Sequence, residues 1–175
     1  MIGTSIFWLA PILPIAVFVL LAVGLVRYGR FASGVAVAAM GGAFLASNLG
    51  LVATIQGART SLSLPWMTVG GRRLTLALQL DPLSSLVATL VSGVGLIIFV
   101  YAVSYMAQDP RRGRFFAEFS LFAGSMLILV LADDLITLFI AWELVGLCSY
   151  LLIGFWYERP TASAAATKAF LITRL

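Results

Sequence analysis

Histidine is absent from this sequence, and cysteine occurs once, as Cys148. Metal sites, disulfide frameworks and iron–sulfur ligation each need several such side chains, so none is supported by this chain alone. Cys148 lies inside an apolar run, where it is most simply a small packing residue, and it says nothing about redox compartment. Charge is scarce as well, at 10% of residues against roughly 25% in a soluble domain. The net charge of +4 comes from arginines placed singly or in short loops, so nucleic acid is not an expected partner. No phosphate loop, nucleophile–base pair or dinucleotide fingerprint occurs. Gly93-Val-Gly95 lacks the strand and third glycine that such a fingerprint needs, and it reads as packing within a span.

What remains is hydrophobic: 62% of 175 residues, room for five or six membrane spans and little else. The expected fold is an all-α integral membrane protein with about five transmembrane helices and an incomplete sixth. A short extramembrane β-hairpin is expected between helices two and three, and residues 1–175 form one membrane domain. The first span covers about Ile6 to Val26. Nothing basic precedes Arg27, so a cleaved signal peptide does not fit and the run is a retained helix, started or kinked by Pro11 and Pro14. The second covers about Phe31 to Ile55, with small residues at every fourth position: Gly34, Ala38, Gly42, Ala46 and Gly50. That stripe suits close helix packing.

Residues 57–80 differ in kind. Pro65, Gly70-Gly71 and the alternation from Leu74 to Leu80 read as two short strands about a Gly-Gly turn. Asp81-Pro82 then starts the third span as an acidic N-cap followed by proline. A basic turn holding Arg111, Arg112 and Arg114 precedes the fourth span, Phe115 to Leu131, and Glu118 lies close enough to that turn for an interfacial pair, the lesser alternative being a second polar site. Asp133-Asp134 makes a very short connection to the fifth helix, and the sixth begins after Pro160. The loops after spans one, three and five carry Arg27, Arg30, Arg111, Arg112, Arg114 and Arg159, against Arg59, Arg72 and Arg73 opposite. Positive charge favours the cytoplasm, which puts the N-terminus and hairpin outside.

The fifth helix holds the most informative residue. Glu143 falls near the middle of an apolar run, where an acidic side chain costs about 2.5–3.5 kcal/mol on insertion scales. Such residues face a cavity or partner and mark conducting paths; the alternative is a structural glutamate bonded to a neighbouring helix. Burial disfavours the charged carboxylate and a nearby cation favours it, so moving a cation would couple a conformational change to proton uptake. Gly146, one turn on, leaves space for water or a close helix, and Tyr150, two turns on, is a candidate relay. Trp142 and Trp156 suit packing and interfacial anchoring. Lys168 has two readings of equal weight: a charge partner at membrane depth, or a lysine snorkelling to the interface.

Several segments carry a family signature: Asp81-Pro82-Leu83-Ser84, Tyr101–Met106, Arg114-Phe115-Phe116-Ala117 and Leu131-Ala-Asp-Asp134. The run Trp142-Glu143-Leu-Val-Gly-Leu-Cys148-Ser-Tyr150-Leu-Leu-Ile-Gly154-Phe-Trp-Tyr157 and Ala164-Ala-Ala-Thr-Lys168-Ala-Phe170 extend it. They resemble the antiporter-like subunits L (mitochondrial chain 5) of respiratory NADH–quinone oxidoreductase, complex I. The resemblance implies proton translocation within a large membrane complex in the lipid bilayer, of bacterial inner-membrane type. It implies that Glu143 matches the family's essential glutamate, that the hairpin is periplasmic, and that quinone reduction and redox cofactors belong to other subunits. Lys168 matches a lysine of the family's sixth helix rather than the later lysine that pairs with the glutamate. Family members carry far more helices than this chain, which reads as a fragment or a short homologue. Relatives in membrane hydrogenases and inorganic-carbon uptake systems share parts of the signature.

Three functions stay open on the sequence. One is a proton-translocating half-module using Glu143, with Lys168 as charge partner and Tyr150 as relay. Another is a non-conducting subunit or fragment that packs through the Gly34–Gly50 stripe. The third is the nonfunctional product of a broken gene.

Overall fold

The computed structural model describes residues 6–24 and 29–174. Its elements follow in the order α1 (Leu9–Ala22), α2 (Gly29–Ile55), β1 (Thr60–Val69), β2 (Arg72–Leu80), α3 (Pro82–Tyr105), α4 (Arg112–Leu131), α5 (Leu135–Ile153) and α6 (Pro160–Ile172). Among the described residues, four helices, α2 to α5, are long and apolar enough to cross a membrane. The expected count was five and an incomplete sixth. The difference lies in the first run: α1 is apolar but only 14 residues long, about 21 Å against a ~30 Å hydrocarbon core. It begins at Leu9, after Trp8, and accepts Pro11 in its first turn, where no amide is needed. The expected end of that run, with Arg27, and the N-terminal residues 1–5 lie outside the described residues. The sixth helix, α6, has 13 residues.

Two aspartates fix where spans begin. Asp81 Oδ1 accepts from the Ser84 amide at 2.7 Å while Ser84 Oγ accepts from the Asp81 amide at 2.9 Å, a reciprocal capping box with Pro82 at the first helical position. Asp134 caps α5 by accepting from the amides of Ile136 (2.9 Å) and Thr137 (2.8 Å). The hairpin forms as the residues suggested. Strands β1 and β2 pair antiparallel about Gly70 and Gly71, whose φ values of 58° and 80° suit a two-residue turn with both central residues left-handed. The register slips between Pro65 and Met67, where proline lacks a ladder donor.

Asp134 also ties the hairpin to the bundle. Its Oδ2 accepts from the Ala77 amide at 2.7 Å, and the Asp133 amide donates to the Ala77 carbonyl at 2.9 Å. Thus the hairpin and the α4–α5 connection share one end of the bundle. At the other end Arg111 grips Glu158 through two bonds, at 2.6 and 3.2 Å. There Trp156 Nε1 donates to Asp109 at 2.9 Å, and Arg112 donates to Ser33 Oγ at 2.7 Å.

The bundle is small and partly polar inside and large and apolar outside. Buried positions include Ala32, Ala36, Ala43, Ala88, Ala117, Ala123, Ser47, Ser92, Ser120 and Ser125. Exposed ones include Ile12, Leu45, Val52, Leu83, Leu90, Val94 and Ile97. A surface of that kind suits hydrocarbon, and small interior residues let helices approach closely. The every-fourth-residue stripe of α2 serves this only in part. Each step of four overshoots a 3.6-residue turn by about 40°, so the stripe winds round the helix. Gly42, Ala46 and Gly50 lie against the first segment, whereas Gly34 and Ala38 are exposed. The tightest approach outside the stripe is Gly124 of α4, where a Cβ would meet Ile15 side-chain atoms at 2.6 Å and the Ile15 amide nitrogen at 3.3 Å.

Gly124→Leu should therefore lower stability in detergent by about 1–3 kcal/mol through overpacking, and Gly34→Leu should be neutral; thermal unfolding of both variants checks this. Burial tends to raise the Asp134 pKa, but the Thr137 amide and hydroxyl and the amides of Ala77 and Ile136 outweigh it and hold the carboxyl below its ordinary range. A depressed folded pKa stabilises above the unfolded value of about 3.9 and loses that contribution as pH falls through the folded value. Asp134→Asn should blunt this acid sensitivity, and Asp134→Ala should cost about 2 kcal/mol at neutral pH, read by thermal melts across pH.

Candidate functional site

Glu143 sits near the middle of α5, and Gly146 and Tyr150 follow it along one face. Its side chain is 27% exposed and forms an ion pair with Arg174, which lies just beyond α6. Arg174 Nη2 also reaches the Glu143 carbonyl at 3.4 Å, and the guanidinium carbon stands 4.4 Å from the Phe170 ring centroid. Gly146 borders this arrangement, and a Cβ there would meet Arg174 Nη2 and Thr173 Oγ1 at 3.9 Å, an ordinary contact. The pair borders a cavity of about 190 Å³ between α5 and the α6 end, lined also by Trp142, Ser149, Tyr150 and Ala169.

Tyr150 is 38% exposed, and its ring packs 5.4 Å from Phe170. It lines this cavity and also a second cleft of about 230 Å³ with Arg114, Gly154, Tyr157, Ser163 and Ala166. Lys168 borders neither cavity. It is exposed, and the cation that meets Glu143 among the described residues is Arg174. Helix periodicity explains the choice. Ala166, Ala169, Phe170 and Thr173 form the face of α6 turned to α5, and Lys168 falls off that stripe. The same stripe is the signal that could have pointed to the end of α6 as the source of a partner.

Glu118 forms the expected pair with the basic turn: its Oε1 accepts from Arg114 Nε at 2.6 Å, one helical turn away. The position is not superficial, however, for the residue is 7% exposed and Oε2 has no hydrogen-bond partner among the described residues. Ser125, two turns on along the same face of α4, and the buried Cys148 of α5 lie close by. Among the described residues no three His, Cys, Asp or Glu side chains gather to hold a metal ion. The arrangement can hold or move a proton: two carboxylates on apolar helices, each beside an arginine, with space for water near one and a phenol between the clefts.

Comparison with known proteins agrees with this architecture. Residues 66–116 match the family model described as NADH-Ubiquinone oxidoreductase (complex I), chain 5 N-terminus, and residues 132–175 match NADH:quinone oxidoreductase/Mrp antiporter, TM. Together they cover more than half of the sequence, and the chain belongs to this family of antiporter-like membrane subunits. It is 42% identical over 180 residues to NADH-quinone oxidoreductase subunit L of Mycobacterium tuberculosis (strain CDC 1551 / Oshkosh), covering 99% of this chain and 28% of that protein. Subunit L of Escherichia coli (strain K12) is 43% identical over 171 residues, covering 95% and 28%. F(420)H(2) dehydrogenase subunit L of Methanosarcina mazei is 58% identical over 96 residues, covering 55% and 14%. The solved Mrp complex from Dietzia sp. DQ12-45-1b contains a chain with a TM-score of 0.68 and 29% identity, matching 98% of this chain and 18% of that one. The chain thus spans less than a third of the length of these relatives.

Glu143 is paired with Arg174 and not with Lys168, so coupling in detergent should appear between the first two alone. A double-mutant cycle with Glu143→Gln and Arg174→Gln, read by thermal unfolding, should give that coupling, and the cycle of Glu143 with Lys168→Gln should give none.

Proposed function

We infer that this chain supplies a proton-carrying segment to a membrane complex of the NADH–quinone oxidoreductase type, with Glu143 as the protonatable group. One observation carries the reading: a carboxylate at mid-span, beside an arginine, opens to a cavity large enough for water. With Arg174 close, the carboxylate is favoured as the anion; when the guanidinium moves away, the apolar surroundings favour proton uptake. Movement of Arg174 thereby exchanges one positive charge for another at Glu143. Tyr150 is the relay in this scheme, and Lys168, exposed on α6, acts as a charge partner only if the helices rearrange.

Orientation follows the arginine count. The end holding Arg30, Arg111, Arg112, Arg114 and Arg159 faces the cytoplasm, and the hairpin end faces outward across a bacterial inner membrane. Other membrane subunits are the expected partners, and residues 1–175 act as one membrane domain. The rival packing role rested on the α2 stripe. Gly42 and Gly50 are occupied by Leu13 and Phe7 of this same chain, which leaves little of that stripe for a partner helix.

Glu143→Gln should abolish proton translocation by the assembled complex in membrane vesicles while the amount of assembled complex stays at the wild-type level. Undiminished translocation in that variant would sink the reading.

A further inference from the structure

We propose that Glu118, held by Arg114, is a second proton-binding group, and that it loads protons toward Glu143 through Tyr150 across the two adjoining clefts. The proposal rests on Glu143 being the protonatable mid-span site. Its own support is separate. Glu118 is more than nine-tenths buried, yet only one of its carboxylate oxygens is engaged; Oε2 has no partner among the described residues. A buried acceptor left open costs free energy that an apolar residue would avoid, and a proton on Oε2 lowers that cost.

The groups around Glu118 define one direction of supply. Its own helix contributes Arg114, and α5 contributes Cys148. Helices α1 and α3, which also pack on α4, have no charged side chain, and Arg30 of α2 is exposed. Among the described residues the cation paired with Glu118 is Arg114, which also stands in the wall of the 230 Å³ cleft. Tyr150 forms part of that wall and of the 190 Å³ cavity that holds Glu143 and Arg174. Both spaces exceed what one water needs, so short water chains can link the groups that border them; Glu118 lines neither and meets the 230 Å³ cleft through its bond to Arg114.

The step balances as a transfer of one proton with no electron moved. A proton arriving from the Arg114 end binds Glu118 Oε2 and weakens the hold on the guanidinium. It passes to water in the cleft and on to the Tyr150 oxygen, which releases its own hydroxyl proton into the second cavity. The Glu143 carboxylate accepts that proton as Arg174 withdraws. Arg114 is a positioning residue here, since a guanidinium does not give up its proton in this range.

Proton uptake into inverted membrane vesicles carrying the assembled complex, followed with a pH-sensitive dye across a pH series, tests the assignment. Per assembled chain, Glu118→Gln and Tyr150→Phe should each slow uptake by roughly tenfold or more. Glu118→Asp should recover much of the rate, and Glu118→Gln should remove one inflection from the pH profile. Wild-type uptake and an unaltered profile in Glu118→Gln, with Glu143→Gln still blocked, would overturn the loading role and leave the Glu143 reading standing. If Glu143→Gln also pumps normally, both fall. Should Glu118→Gln fail to accumulate, Tyr150→Phe decides, because it removes one hydroxyl from a part-exposed ring; unslowed uptake there overturns the proposal.

Discussion

Close approach to α4 is the constraint on which the rest of this bundle depends. That helix touches α1, α2, α3, α5 and β2, and no large side chain stands at its tightest crossing. Gly124 accepts Ile15 of α1, and Ala117, Ser120, Ala123 and Ser125 are buried around it. In hydrocarbon, lipid tails compete with every apolar contact, so packing density and not water exclusion holds helices together. The same closeness is what buries Glu118. A carboxylate one turn from a basic loop would ordinarily reach the headgroups; here its neighbours shield it, and Arg114 supplies the one charge-assisted bond available.

Around that packed centre, polar interactions are sorted to the two ends. At one end Asp134 both starts α5 and receives the hairpin through the Ala77 amide, so the hairpin strands and the Glu143 helix are fixed by one carboxylate. At the other, Arg111 and Glu158 join the start of α4 to the α5–α6 connection, and the Arg111 guanidinium lies over the Phe155 and Tyr157 rings. Both clefts border α5, which these anchors hold at its two ends. A helix pinned at its ends can keep a mid-span carboxylate in register with its cation.

Much of this was legible in the chain. The Gly-Gly hairpin, the Asp81 start, four of the helical spans and the family followed from local signals: turn glycines, a cap, apolar length and a long specific run; Asp134 had read only as part of a short connection. What escaped needed knowledge of faces. The stripe from Gly34 to Gly50 looked continuous because four-residue spacing resembles a helical repeat, yet its drift turns one end outward. Glu118 read first as interfacial because its distance along the chain from Arg114 is visible, whereas its burial in the bundle is not. Lys168 drew attention by its charge, and Arg174 did not, since the helix face that decides between them is set by how α6 crosses α5 at Gly154 and Ala166.

That an arginine and not a lysine stands beside Glu143 narrows how such a site can work. A lysine in apolar surroundings can surrender its proton and change charge in place; an arginine stays charged at any physiological pH. Arg174 can therefore alter the field at Glu143 only by moving. Its guanidinium already has a second resting surface on the Phe170 ring, where a cation over an aromatic face is favourable without any carboxylate. With Glu143 as the proposed proton carrier, the chemistry of the pair would assign the moving part to the end of α6 and the titrating part to the middle of α5, a division that a Glu–Lys pair would not impose.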